Sequence, residues 1–276
     1  MVNQFNTDAV YSALEAFNGF PDPDSPTGRY GSDFNPLMAV SGGSLSDKDN
    51  VVAITNASAR KSQCTNIIVN LPNAKTFPWE NAASAMLTFA PIAQNTPHKS
   101  NANKALPDIP VPADGQIGDF SNYDARDYMV KRGACTVTVA GGSYIIQDFV
   151  TTYAPDGDDT PKFRWARDLI LDWVVGYNIK EIMKNEIMDK GIAGDNDPII
   201  VEDVITPSLV KQRINSLWDS LSALNIITDA AFSKAETTVE LNNTNPKRLD
   251  ITSKYKRSGV AHIVSTDLAV DFAYTI

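Results

Sequence analysis

The sequence is poor in the residues on which most neutral-pH chemistry depends. Its 276 residues include only two histidines, His98 and His262, and two cysteines, Cys64 and Cys135. Histidine is the usual neutral-pH base and metal ligand, so candidates for either role are few. The cysteines are 71 positions apart and lack paired metal-ligand spacing, so they read as free buried thiols rather than a bridge or half of a zinc site. There is no apolar run of the ~18 residues a membrane-spanning helix needs, and the start, Met1-Val2-Asn3-Gln4-Phe5-Asn6, lacks the basic and apolar regions of a secretory signal. A soluble, cytoplasmically made protein is expected. Basic blocks are missing too: 24 Lys and Arg stand against 33 Asp and Glu, a net charge of −9, which argues against a general nucleic-acid binder. No Gly-rich phosphate loop, His-Glu-x-x-His or Gly-x-Ser-x-Gly pattern occurs, so nucleotide-driven and common hydrolase chemistries lose their signatures.

What is present is a folding chain. A hydrophobic content of 43% over 276 residues supports a real core and one large or two modest domains, and excludes disordered, collagen-like and disulfide-rich classes. Thr7 reads as an N-cap for a helix carrying Val10, Leu14 and Phe17, stopped by Gly19 and the Pro-Asp run 21–26. Gly-rich 37–46 reads as a turn, while 51–54 and 65–69 read as β-branched strands. Pro78 opens a helix over 79–89. Five prolines in 91–119 then mark a long surface connection and a module boundary.

Beyond it, 123–131 predicts a helix closed by Gly133, and 136–139 with 144–153 a hairpin turning at Gly141-Gly142. Thr160-Pro161 and Thr206-Pro207 are helix starts. The first leads Phe163, Ala166, Ile170, Trp173 and Tyr177 at helical spacing to an end near Gly191. The second leads Val210, Ile214, Leu217, Leu221 and Leu224. Strands are expected at 237–241, 249–252 and 260–276. Mixed elements, a hairpin, two long helices and terminal strands make an α+β or mixed α/β chain.

The acidic loops 156–159 and 189–197 read as solvated turns, because neither has the alternating ligand spacing of a calcium loop. Ser143 belongs to a turn that needs small residues. The last strand stands apart. Leu268, Val270, Phe272, Tyr274 and Ile276 alternate with smaller or polar residues, and no Pro or Lys guards its edge from Thr266 onward. It pairs either within its own domain or with a neighbour's sheet. Just before it lie Lys247, Arg248, Lys254, Lys256 and Arg257. Together with Asp156, Asp158 and Asp159 they are candidate charge contacts between copies.

Several segments, in order, resemble the tail sheath proteins of Mu-like contractile-tailed bacteriophages. They are Asn6-Thr7-Asp8-Ala9, Phe77-Pro78-Trp79-Glu80-Asn81-Ala82-Ala83, 128–133, Thr151-Thr152-Tyr153, Thr206-Pro207 and Asn245-Pro246-Lys247-Arg248-Leu249-Asp250. The resemblance implies a sheath-type domain over 121–276, with a linking arm at 259–276 that joins a neighbour's sheet. Residues 1–120 would then be an α/β part of the sheath middle domain. It also implies a structural subunit, not an enzyme and without a cofactor. Such a subunit polymerises helically, in stacked hexameric rings, around a tail tube and contracts to drive the tube through a host envelope. Partners would be further copies, the tube, baseplate and tail terminator proteins, with no nucleic acid or membrane, and the location would be the virion. Members of the family carry a longer N-terminal region with a second arm, so the chain is expected to be a minimal sheath, a truncated one or one piece of a split protein. The competing readings are a soluble α/β hydrolase-like enzyme, with His98 or His262 beside a carboxylate in a pocket, and the sheath of a tailocin or contractile secretion system.

Overall fold

The computed structural model describes residues 2–3, 8–19, 27–33, 35–58, 60–61, 64–113, 116–158, 161–245 and 247–260. Its first half is built on β1 (Val2–Asn3), α1 (Asp8–Asn18), α2 (Gly28–Asp33), β2 (Ala39–Gly43), α3 (Lys48–Thr55), β3 (Asn66–Asn70) and α4 (Pro78–Asn95). The three strands form a parallel sheet in the order β1-β2-β3, with Val40 opposite Ile67 and Gly42 opposite Val69. Every residue of β3 is buried, as expected of a parallel strand covered on both faces.

Two expectations fail here. Residues 39–43 are the central strand and not a turn, because the glycines serve close packing. A Cβ on Gly42 would lie 1.9 Å from the carbonyl oxygen of Pro78, where α4 meets the sheet. Residues 51–54 are helical and not a strand. Asp47 caps α3 by accepting from the amides of Asp49 and Asn50, at 3.1 and 2.9 Å, and Val51 and Val52 are buried on that helix. The cap and the burial outweigh the weak β preference of Val and Ile. Further on, α4 runs through Pro91 to Asn95, past the expected start of the connection. The bond that Pro91 cannot make falls on an exposed side, where water can serve the freed carbonyl.

The proline-rich connection is not all surface. Leu106 and Ile109 are buried, and β4 (Lys104–Ala105) pairs with the hairpin that follows. After α5 (Tyr123–Val130), β5 (Val137–Ala140) and β6 (Ser143–Ile146) are joined at Gly141 and Gly142, whose φ of +58° and +75° suits a tight primed turn. Tyr144 is buried and its hydroxyl donates to the Pro72 carbonyl at 2.7 Å. Cys64 and Cys135 are free and buried, as expected, and burial pushes the Cys135 thiol up to about 12. These elements close a first core that draws on both sides of position 120, from Met38 to Leu169.

The second half begins with α6, which spans Ala166–Ile182 and passes into a single π-helical turn, Met183–Ile187. It therefore starts later than Pro161 and ends before Gly191. Thr160 itself lies outside the described residues. Short strands β7 (Gly191–Ile192) and β8 (Val204–Ile205) lead to α7 (Pro207–Ala223), β9 (Ile227–Thr228), α8 (Ala230–Ala235), β10 (Thr238–Leu241), β11 (Leu249–Thr252) and β12 (Lys256–Arg257). Thr206 caps α7 as the sequence predicts, accepting from Leu209 N at 3.3 Å. Val210, Ile214, Leu217 and Leu221 are buried, whereas Leu224 falls at the helix end and is exposed. A second core gathers around these residues and Trp218, whose indole donates to Thr237 Oγ1 at 2.9 Å.

Helix α6 joins the cores: Ala166 and Leu169 belong to the first, Leu171 and Val175 to the second. A helix that serves two cores buries more than one stripe. The single stripe expected from Phe163 to Tyr177 accordingly ends on an exposed Tyr177. No helix among the described residues is long and apolar enough to cross a membrane.

Candidate assembly interface

Apart from the acidic loop at 156–159, the assembly features expected from the sequence fall in the last forty residues, and there the chain builds a small sheet. β10 and β11 pair antiparallel with Val239 opposite Ile251 and Leu241 opposite Leu249. Val239, Leu249 and Ile251 pack on the second core, so Thr238, Glu240, Asp250 and Thr252 occupy the other face. Among the described residues this sheet has two strands only, so the outer edge of each presents backbone amides and carbonyls that no strand covers.

The connection between the strands is held by its own side chains. Asn242 Oδ1 accepts from Thr244 N, Thr244 Oγ1 and Asn245 N at 3.0, 2.8 and 2.8 Å. Asn242 Nδ2 and Arg248 Nε donate to the two oxygens of Asp250 at 2.6 and 2.5 Å. Those hydrogen bonds, from Asn242 first and then Arg248, hold the Asp250 carboxyl below its ordinary value. Arg248 and Asp250, from a segment singled out by the resemblance, thus help Asn242 to hold the connection.

The candidate charge contacts are largely engaged within the chain. Arg248 pairs with Asp250 at 2.5 Å, Lys254 with Glu236 at 2.8 Å, and Lys256 with Asp229 at 2.6 Å. Arg257 pairs with Asp172 and Asp156 with Lys61. Lys247 is exposed, with its amide on Asn245 Oδ1, and the amide of Asp158 turns back to the Pro155 carbonyl. Asp159 lies outside the described residues, as do Leu268, Val270, Phe272, Tyr274 and Ile276. A contact between copies at the paired sites would exchange charge partners rather than meet bare cations.

Sequence reasoning missed how the chain is anchored ahead of the expected arm. Arg257 binds both oxygens of Asp172, Nε at 2.8 Å and Nη2 at 2.5 Å, and donates to the Lys162 carbonyl at 2.6 Å. Tyr255 adds its hydroxyl to Asp172 at 2.7 Å. Burial pulls the Arg257 guanidinium down, but the bonds and charge of Asp172 outweigh it and hold the group above its ordinary value. One residue on, Arg167 from α6 holds Ser258 through its carbonyl at 2.9 Å and its hydroxyl at 3.0 Å, and reaches the His98 carbonyl at 2.9 Å. This clasp ties 255–258 to α6 directly ahead of residues 261–276. Its one sequence signal is an Arg-Asp pair inside an otherwise apolar helix start.

His98 enters this network through its backbone carbonyl, and His262 is outside the described residues. Among the described residues, no group of three or more His, Cys, Asp and Glu side chains is arranged to hold a metal ion.

No protein-family model matches the chain, and no curated protein matches it. Solved structures do. A chain of the anti-feeding prophage baseplate, from a six-fold symmetrised cryo-EM structure, superposes with a TM-score of 0.60 at 12% identity, over 96% of this chain and 65% of its own. The helical sheath of the anti-feeding prophage in its contracted state gives 0.56 at 14% identity, over 96% and 66%. The sheath tail protein of Desulfitobacterium hafniense gives 0.53 at 13% identity, over 92% and 55%. The chain therefore has the α+β fold of contractile sheath proteins and spans about two thirds or less of the length of these neighbours.

Proposed function

We propose that the protein is a structural subunit of a contractile sheath, which polymerises through strand exchange between copies and carries no enzymatic activity. One observation carries this reading: a chain that shares the fold of a contractile sheath over 96% of its length carries, near the end of its described part, a two-stranded sheet whose outer edges no described strand covers. Backbone groups at such an edge give affinity to an added strand, and alternating side chains give it register.

Residues Leu268 to Ile276 supply the strand. Its large apolar side chains recur every second position, the period by which a strand lays one face on a core. Clasped at 255–258, the chain can reach a neighbour while its root stays fixed to α6. In this reading the copies form a helical array of stacked rings around a tube, meeting baseplate and terminator proteins at the ends. Contraction releases energy stored in the packing of subunits rather than energy from a nucleotide. A Mu-like phage tail is the assignment that the ordered sequence motifs favour. A tailocin or secretion-system sheath would use the same mechanics.

Negative-stain microscopy of the purified full chain at low and high salt tests the proposal. Rings or tubes are expected, with the balance shifting with salt, and a chain truncated after Asp267 is expected to remain monomeric. An intact chain that stays monomeric under all conditions, or a truncated one that assembles as well as the intact chain, would overturn it.

A further inference from the structure

The connection between α6 and α7 carries a feature that the strand-exchange reading leaves unused. Ile199, Ile200 and Val201 stand at its tip with exposures of 46%, 93% and 67%. Three consecutive aliphatic side chains in water are unusual on a surface that otherwise solvates its loops with charge.

The tip is mounted rather than loose. At its base β7 and β8 pair in parallel, with Gly191 N donating to the Asp203 carbonyl at 2.9 Å and Ala193 N to the Ile205 carbonyl at 3.0 Å. Asp197 receives Gly194 N at 2.6 Å, and Asp195 receives Ser208 N at the start of α7 at 2.9 Å. Ile192 and Ile205 root the base in the second core. An apolar knob held this way loses little conformational freedom when it docks.

The same chain carries a socket of matching character. Between α4 and α6 lies an open groove of about 540 Å³ walled by Met86, Phe89, Ala93, Ile170, Trp173 and Tyr177, with Tyr177 55% exposed at its lip. None of its lining residues is acidic, and Arg29 stands at its Asn35 end, Nε to the Asn35 carbonyl at 2.9 Å. The knob's shoulders, Asp197, Glu202 and Asp203, are acidic and exposed. They would meet no like charge in the groove wall and one cation at its end. Knob residues line no part of the groove in their own chain.

We propose that Ile199–Val201 of one copy dock in the α4–α6 groove of a second copy. The contact is heterologous, a knob on one face and a socket on another, and such contacts repeat into rings or helical filaments instead of closing as a two-fold dimer. The proposal rests on the self-assembly reading and names a second contact for it, independent of the terminal strand.

Two full-length variants, Ile200→Cys and Tyr177→Cys, are mixed, assembled and mildly oxidised, then run on a non-reducing gel. Native Cys64 and Cys135 are buried and stay silent. The expected result is a reducible heterodimer at least tenfold more abundant than the dimer of either variant alone. Ile200→Asp is expected to lower the assembled fraction at least tenfold with an unchanged melting temperature, because the side chain is already in water. Assemblies visible by microscopy without the heterodimer would overturn the knob-and-socket contact and leave the sheath reading standing. Dimers of the Ile200→Cys chain alone would replace it with a symmetric contact. A bridge from Tyr177→Cys to Val270→Cys in place of the heterodimer would give the groove to the chain's own C-terminal residues. The absence of all assembly would overturn both readings.

Discussion

The two halves of the molecule differ in how their sheets are covered. Around the first core, a three-stranded parallel sheet is buried from β2 through β3, and helix, connection and hairpin pack over it. Around the second, two long helices pack with a two-stranded sheet whose outer edges no described strand covers, and the loop between those helices lifts three aliphatic residues into water. In the reading proposed above, a neighbour's strand completes the second half, while the first half lends α4 to the groove that receives a neighbour's knob. One helix, α6, contributes residues to both cores.

The strongest way to break this contrast is to remove the centre of the open half. Trp218→Ala is expected to cost about 3–5 kcal/mol, from a large cavity plus the lost bond to Thr237. Hydrogen exchange should quicken in α7, β10 and β11 while β3 keeps its protection. Equal loss of protection in β3 would show that the halves open as one unit. Next comes the clasp. Asp172→Asn removes one partner of a pair whose side chains are 25% and 10% exposed, and should cost about 2–3 kcal/mol, less than the ~3–5 of a fully buried pair. The denaturation midpoint measures this, and Arg257→Lys should fall between the variant and the native chain, since it keeps the charge without the fork.

A third test sharpens the closed half. Glu15 on α1 sits beside Thr65, and burial lifts its carboxyl to about 7, with the Thr65 hydroxyl at 3.3 Å pulling slightly the other way. Its folded-state value lies above its unfolded one, so between pH 4.5 and 7 the native state binds more protons than the unfolded state. Stability therefore falls as pH rises through that window, by about 1–3 kcal/mol. Glu15→Gln should flatten the profile, and an unchanged slope in the variant would remove Glu15 as the cause. Smallest is the cap of α3: Asp47→Ala should cost about 1 kcal/mol in thermal unfolding, since it frees two amides at one helix end.

Legibility followed the range of the forces at work. Thr206-Pro207 and Gly141-Gly142 announced a helix start and a primed turn because caps and positive φ are decided within a few residues. Gly42 and Gly43 misled because Gly42 admits α4 against the sheet, with Pro78 arriving from 36 positions away, and Gly43 leaves room for the Asn70 side chain. Val51 and Val52 misled because burial under the fold, not their β preference, decided their conformation. The bond from Arg167 to Ser258 spans 91 positions, and the Arg167-Asp168 pair in an apolar helix start says nothing of where its partner lies. The groove is equally invisible, since its walls come from α4, α6 and the residues ahead of β2.

The sequence by itself determined the α+β class, most helices, the hairpin, the buried thiols and an ordered set of sheath-like segments, because periodicity, capping and turn chemistry act locally. The tertiary structure decided which glycines are packing sites, where α6 divides its faces, which charges are already partnered and which strand edges and aliphatic side chains no described residue covers. Those are properties of surfaces that exist only once distant segments have met.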